Sequence, residues 1–109
     1  MKNDAVYIAD IKRALDRIIV YTEKGKDNFL KDEQIQDAVL RNFQVMGEAA
    51  RRMSDKAQQQ YPEVPWSDLI GFRNVIIHDY AELDLERLWD TIEKDVHNLK
   101  KQIDSIHEG

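Results

Sequence analysis

Four side chains with chemical reach sit within eight residues of each other: Arg73, Asn74, His78 and Tyr80, in the run Arg73-Asn74-Val75-Ile76-Ile77-His78-Asp79-Tyr80. Arginine is a permanent cation whose planar fork of donors grips two phosphate oxygens at once. Histidine titrates nearest to neutrality, so it can give or take a proton at physiological pH. Together they can cut a phosphodiester without a metal. Asn74 lies four residues before His78, where it can orient the imidazole or hold a phosphate. Tyr80 offers a packing ring, a substrate contact or a hydroxyl that can be modified.

The elements that carry these groups constrain their use. The run belongs to the most apolar stretch of the chain, with Leu69, Ile70, Phe72, Val75, Ile76 and Ile77. Charged groups are costly there unless paired or used. Residues five apart on a straight helix point about 140° apart, so one helix cannot aim Arg73 and His78 at one atom. Either the helix ends at His78 and turns, or two copies meet across a two-fold axis and share their groups.

Around this segment the pattern is helical nearly throughout. Apolar residues at three- and four-residue steps predict a first helix from about Asp4 to Lys24, stopped by Gly25. Residues Lys26 to Lys31 read as a loop anchored by Phe29 and Leu30. Asp32 is a good N-cap for a second helix reaching about Gln59. Asn42 interrupts its apolar stripe, either as a register-fixing hydrogen bond or as a site residue holding an RNA or nucleotide phosphate. Tyr61-Pro62-Glu63-Val64-Pro65 breaks that helix. Ser67 is the expected cap of the third, and Asp84 of a fourth in which Leu85, Leu88, Trp89, Ile92, Val96, Leu99, Ile103 and Ile106 keep helical spacing. No strand is predicted. The expectation is one all-α domain over residues 1–109, an antiparallel bundle of four to five helices.

Composition narrows the function classes. The 109 residues include no cysteine, which excludes a disulfide framework, a thiolate metal site and a cysteine nucleophile. The three histidines have no metal-ligand spacing, and no metal or cofactor is expected. No apolar run reaches membrane-spanning length and no signal-peptide core is present, which points to a cytoplasmic protein with no membrane partner. The net charge of −5 argues against a broad nucleic-acid binder, which normally shows a basic footprint. A local basic site remains open to Arg41, Arg51, Arg52 and Arg73. Arg41, Glu48 and Arg52 share one helix face and read most simply as an ion-pair run. His97 and His107 read as surface residues.

Two longer runs carry a resemblance. Asp37-Ala38-Val39-Leu40-Arg41-Asn42-Phe43-Gln44-Val45-Met46-Gly47-Glu48-Ala49-Ala50 and Pro65-Trp66-Ser67-Asp68-Leu69-Ile70-Gly71-Phe72 followed by the Arg73–Tyr80 motif resemble the HepT-like family of the HEPN superfamily. Tyr7-Ile8-Ala9-Asp10-Ile11 and Leu85-Glu86-Arg87-Leu88-Trp89 are similar too, so the likeness covers nearly the whole chain. It implies a HEPN-like bundle, a two-fold homodimer and a metal-independent endoribonuclease acting as the toxin of a type VII toxin–antitoxin pair. Arg73 and His78 match the catalytic pair of that family, and Asn74 the polar residue that often follows the arginine. The partner implied is an MntA-like nucleotidyltransferase antitoxin that places AMP on the tyrosine matching Tyr80. The RNA substrate is open between tRNA and mRNA. The competing reading is a non-catalytic helical subunit that docks to a nucleotidyltransferase and binds its nucleotide with the same residues.

Overall fold

The computed structural model describes residues 3–71 and 84–106. Among them every regular element is helical. α1 (Asp4–Tyr21) begins where the Asn3 side chain accepts from the Val6 amide. Ile8, Ile11, Ala14, Leu15 and Ile18 form its buried stripe. It ends one turn earlier than the spacing predicts, because the Thr22 hydroxyl and amide both turn back onto the Ile18 carbonyl, at 2.7 and 3.1 Å. Gly25 does not stop this helix. With φ at 94°, a region that favours glycine, it opens the next one.

That next element, α2 (Lys26–Lys31), replaces the expected loop. It is a single turn and a half, too short to show a helical period. The buried Phe29 side chain fixes it to the core, and the Gln36 amide donates to the Phe29 and Leu30 carbonyls at its end. Tertiary contacts rather than propensity make so short a helix.

α3 (Glu33–Arg52) starts as expected: Asp32 Oδ1 accepts from the Gln34 and Ile35 amides at 3.0 and 3.2 Å. Asp32→Ala is expected to lower unfolding free energy by about 1 kcal/mol, read as a lower urea midpoint at unchanged slope. The helix stops at Arg52 and does not continue to Gln59. Met53 and Ser54 are extended, and Ser54 caps a separate α4 (Asp55–Gln60) by accepting from the Ala57 amide. Asp4 holds Ser54 in place, accepting from its amide at 2.9 Å and from its hydroxyl at 2.7 Å. That clasp ties the start of α1 to the end of α3, so the two long helices run antiparallel. Among the described residues their buried faces make the main packing seam.

α5 (residues 66–71) is helical to the edge of the described region. Its first helical bond runs from the Leu69 amide to the Pro65 carbonyl, so Pro65 occupies the cap position and Ser67 lies exposed inside the first turn. α6 (Leu85–Thr91) is capped as expected by Asp84, which accepts from the Arg87 amide at 3.2 Å.

The last helical stretch is not one uniform helix. A π turn (Ile92–Val96) separates α6 from α7 (His97–Asp104). The sequence pattern gives no sign of it, because the eight apolar residues from Leu85 to Ile106 fit within an arc of about 100° on a straight α-helix. The extra residue of a π turn rotates the two halves by about 100° relative to each other. α6 accordingly packs on α2, where Trp89 meets Phe29 at a ring distance of 5.5 Å, while α7 packs on α1. Lys100 joins α7 to α1 by pairing with Asp16 at 2.7 Å, and with Asp104 at 3.0 Å. These carboxylates raise the Lys100 pKa above the usual lysine value. Its contribution to stability is therefore complete below the ordinary lysine pKa and fades as pH rises through the raised one. No described helix is long and apolar enough to cross a membrane.

Candidate functional site

Arg73, Asn74, His78 and Tyr80 lie outside the described residues, so their mutual distances are not part of the geometry below. The structure does describe the two points between which their segment is held. Upstream, Trp66 is the anchor. Its indole Nε1 donates to the carbonyls of Gln58 and Tyr61 at 3.1 and 3.0 Å, and its ring is buried. The Val64 side chain beneath it and Leu69 one turn on are also buried. An indole with its N–H satisfied and its rings enclosed is a stiff support. The Gln102 amide adds a tie to the Glu63 carbonyl at 2.9 Å, linking this connection to α7.

Downstream, Asp84 fixes the chain as it enters α6. Beyond the cap, Trp89 rests on Phe29 and donates from Nε1 to Glu93 Oε2 at 2.9 Å. Lys26 and Glu86 pair across the α2–α6 contact at 2.7 Å. The hydrogen bond and charge of Glu86 raise the Lys26 pKa, although this pair is open to solvent and contributes little to stability. Reading the sequence for chemistry passed over both tryptophans. Their signal was present: each is a large ring with one donor at an end of the motif-bearing segment.

Asn42 is the polar residue found buried among the described ones, at 5% exposure. Its Nδ2 donates to the Ala38 carbonyl at 2.8 Å, one turn back in α3. The bond is within the helix, not between helices, and it removes the cost of an unsatisfied buried amide donor.

The arginines of α3 are less available than their number implies. Glu48 Oε1 accepts from Arg51 at 2.6 Å and from Arg52 at 3.1 Å, so one carboxylate partly neutralises two cations. The Arg41, Glu48 and Arg52 ion-pair run is thus realised at its C-terminal end, while Arg41 is exposed. His97 is exposed at the start of α7. His107 lies outside the described residues.

An open depression of about 420 Å³ lies beside α4 and the start of α5, lined by Asp55, Gln58, Gln59, Val64, Pro65, Trp66, Ser67 and Asp68. The described residues that line it include two carboxylates and no cation, so those walls by themselves disfavour a phosphodiester. Among the described residues no group of three or more histidine, aspartate or glutamate side chains is placed to hold a metal ion.

Comparison with known proteins adds what the local geometry leaves open. The profile of a family described as "Ribonuclease HepT-like" matches residues 11–106, which includes the Arg73–Tyr80 run. A Methanocaldococcus jannaschii protein named as a candidate RNase is 34% identical, the match covering 96% of this chain and 88% of that protein. A Thermococcus cleftensis protein named "Probable ribonuclease HepT" is 32% identical, covering 92% of each chain. The Shewanella oneidensis protein named "mRNA nuclease HepT" is 28% identical, covering 91% of this chain and 92% of its own length. No solved structure matches.

Proposed function

We propose that this chain, which belongs to the HepT-like ribonuclease family, cuts RNA as the toxin of a type VII toxin–antitoxin pair, through Arg73 and His78 in a cleft shared by two protomers. Endoribonuclease is the enzyme class that goes with the membership. The observation that carries the reading is a family match whose span, residues 11–106, includes the motif and both of its supports.

RNA brings its own nucleophile. The 2′-hydroxyl must lose its proton, attack the adjacent phosphorus and expel the 5′-oxygen, which must gain a proton. His78 serves as the general base or acid, and its mate across the two-fold axis serves as the other. Arg73 meets the negative charge that builds on the phosphoryl oxygens. Asn74 holds the imidazole or the phosphate. Asn42 is assigned a supporting role toward the phosphate, from α3. The two-fold arrangement answers the 140° problem, because groups that one helix cannot aim at a single atom can be supplied by two helices facing each other across the axis. It also answers the charge problem, since two copies concentrate arginine in one cleft while the remaining surface stays acidic.

The proposed antitoxin is a minimal nucleotidyltransferase that places AMP on Tyr80. The name carried by the Shewanella relative makes mRNA the first substrate to try, with tRNA the second. The direct test is cleavage of total cellular RNA by the purified chain. Cutting is expected to persist in excess chelator, because no step uses a metal. The products are expected to end in a 2′,3′-cyclic phosphate or its opened 3′-phosphate. A strict magnesium requirement, or products with 3′-hydroxyl ends, would sink the scheme.

A further inference from the structure

We propose that the π turn at Ile92–Val96 is a positioning device for the RNA-cleaving segment, with Trp89 and Glu93 as its positioning residues; this rests on the nuclease reading above. The apolar residues on either side of the turn suit one straight helix. Local pattern and adopted structure therefore conflict at this point, and such conflicts concentrate where function requires them. π turns are likewise over-represented at functional sites.

What the turn accomplishes is visible in the packing. α7 is tied to α1 by its buried Leu99 and Ile103 and by Lys100 on Asp16. α6 is tied to a different neighbour, α2, by Trp89 on Phe29 and Glu86 on Lys26. In the rotated register one helical stretch serves both. Glu93, inside the turn, accepts from the Trp89 indole at 2.9 Å and so links the turn to the ring that it aims.

The consequence falls on Asp84, the residue that receives the chain directly after the segment carrying Arg73, His78 and Tyr80. Closing the π turn to α geometry would rotate α6 by about 100° about its axis. With Cα atoms about 2.3 Å from that axis, the start of α6 would move by roughly 3–4 Å. A misplacement of about 1 Å can cost on the order of 10²-fold in a positioned reaction. The turn thus sets one end of the catalytic segment to a tolerance that the chemistry needs.

The test is deletion of Lys94, an exposed residue of the turn, in the full chain, followed by cleavage kinetics on a short single-stranded RNA and hydrogen exchange of the α6 amides. The deletion is expected to keep its helical circular dichroism, to raise exchange across α6, and to lower kcat at least about tenfold with little change in KM. Two milder variants keep the test decisive if the deletion fails to fold. Glu93→Ala is expected to lower kcat and shift Trp89 fluorescence, and Glu93→Gln, which still accepts from the indole, is expected to restore both. A deletion variant with α6 re-registered but kcat unchanged would overturn the inference, as would equal kcat for Glu93→Ala and wild type. A wild-type chain that does not cut RNA would overturn the proposed function and the inference together, so the two failures are told apart by the control.

Discussion

His78→Ala is expected to lower RNA cleavage by about 10²–10⁴-fold while dimerisation persists, because the change removes a proton carrier and little else. Arg73→Ala is expected to lose about 10²–10³-fold through the unneutralised phosphoryl charge. Arg73→Lys is not expected to recover it, since a point charge replaces a planar two-donor grip. The pair of measurements is sedimentation to establish the dimer and initial rates on RNA. The same variants separate the catalytic reading from a nucleotide-binding subunit. In the latter, nucleotide titration would weaken with Arg73→Ala and no RNA would be cut by any form. Cleavage that survives His78→Ala in a verified dimer would remove His78 from the mechanism. An informative control mixes the inactive His78→Ala and Arg73→Ala chains. A mixed dimer keeps one His78 and one Arg73, so if both imidazoles of the pair serve one site no activity should return, whereas recovery would show that a single His78 suffices and remove its mate from the mechanism.

How far the sequence foretold the fold depends on whether a feature leaves a mark at helical period. Asp32 and Asp84 do, as short acidic side chains ahead of apolar runs, and both cap the helices expected of them. α1 and α3 do as well, since the buried residues of each recur at three- and four-residue steps, although the apolar Val45 of α3 faces outward and is exposed. α2 does not, because a turn and a half cannot display a period, and Phe29 read only as a loop anchor. The break between α3 and α4 carried a signal that the longer stripe masked: Ser54 is a good N-cap, and its partner Asp4 lies 50 residues away in sequence. The π turn is the instructive miss. Its residues keep the spacing of a uniform helix, and only the demand of two different neighbours, α1 and α2, reveals it. For the candidate site, residue types and spacing offered a chemistry, the resemblance assigned it to Arg73 and His78, and the family match spans the same run. What spacing alone did not give is the support at either end, since Trp66 and Trp89 act through carbonyl and carboxylate partners five to eight and four residues away.

AMP on Tyr80 is expected to silence cleavage, and Tyr80→Phe is expected to cut RNA normally and to resist silencing. In the transfer, the tyrosyl oxygen attacks the α-phosphorus of ATP, its proton leaves to solvent and pyrophosphate departs. The adduct carries one new negative charge two residues from His78. Against an RNA phosphate roughly 6 Å away, that charge costs about 1–3 kcal/mol, depending on how much water remains between them. On its own this weakens RNA binding by about 5- to 150-fold. The nucleoside adds bulk at the same place, so the combined loss should exceed what charge alone supplies. Raising salt separates the two contributions: screening relieves the charge and leaves the bulk. The experiment incubates the chain with the nucleotidyltransferase and ATP, follows addition of one adenylyl group by mass, and measures cleavage at low and high ionic strength. Partial recovery at high salt is the expected pattern. Silencing of Tyr80→Phe under the same treatment would move the switch to another residue, and an adenylylated chain of undiminished activity would leave inhibition to the partner's docking alone.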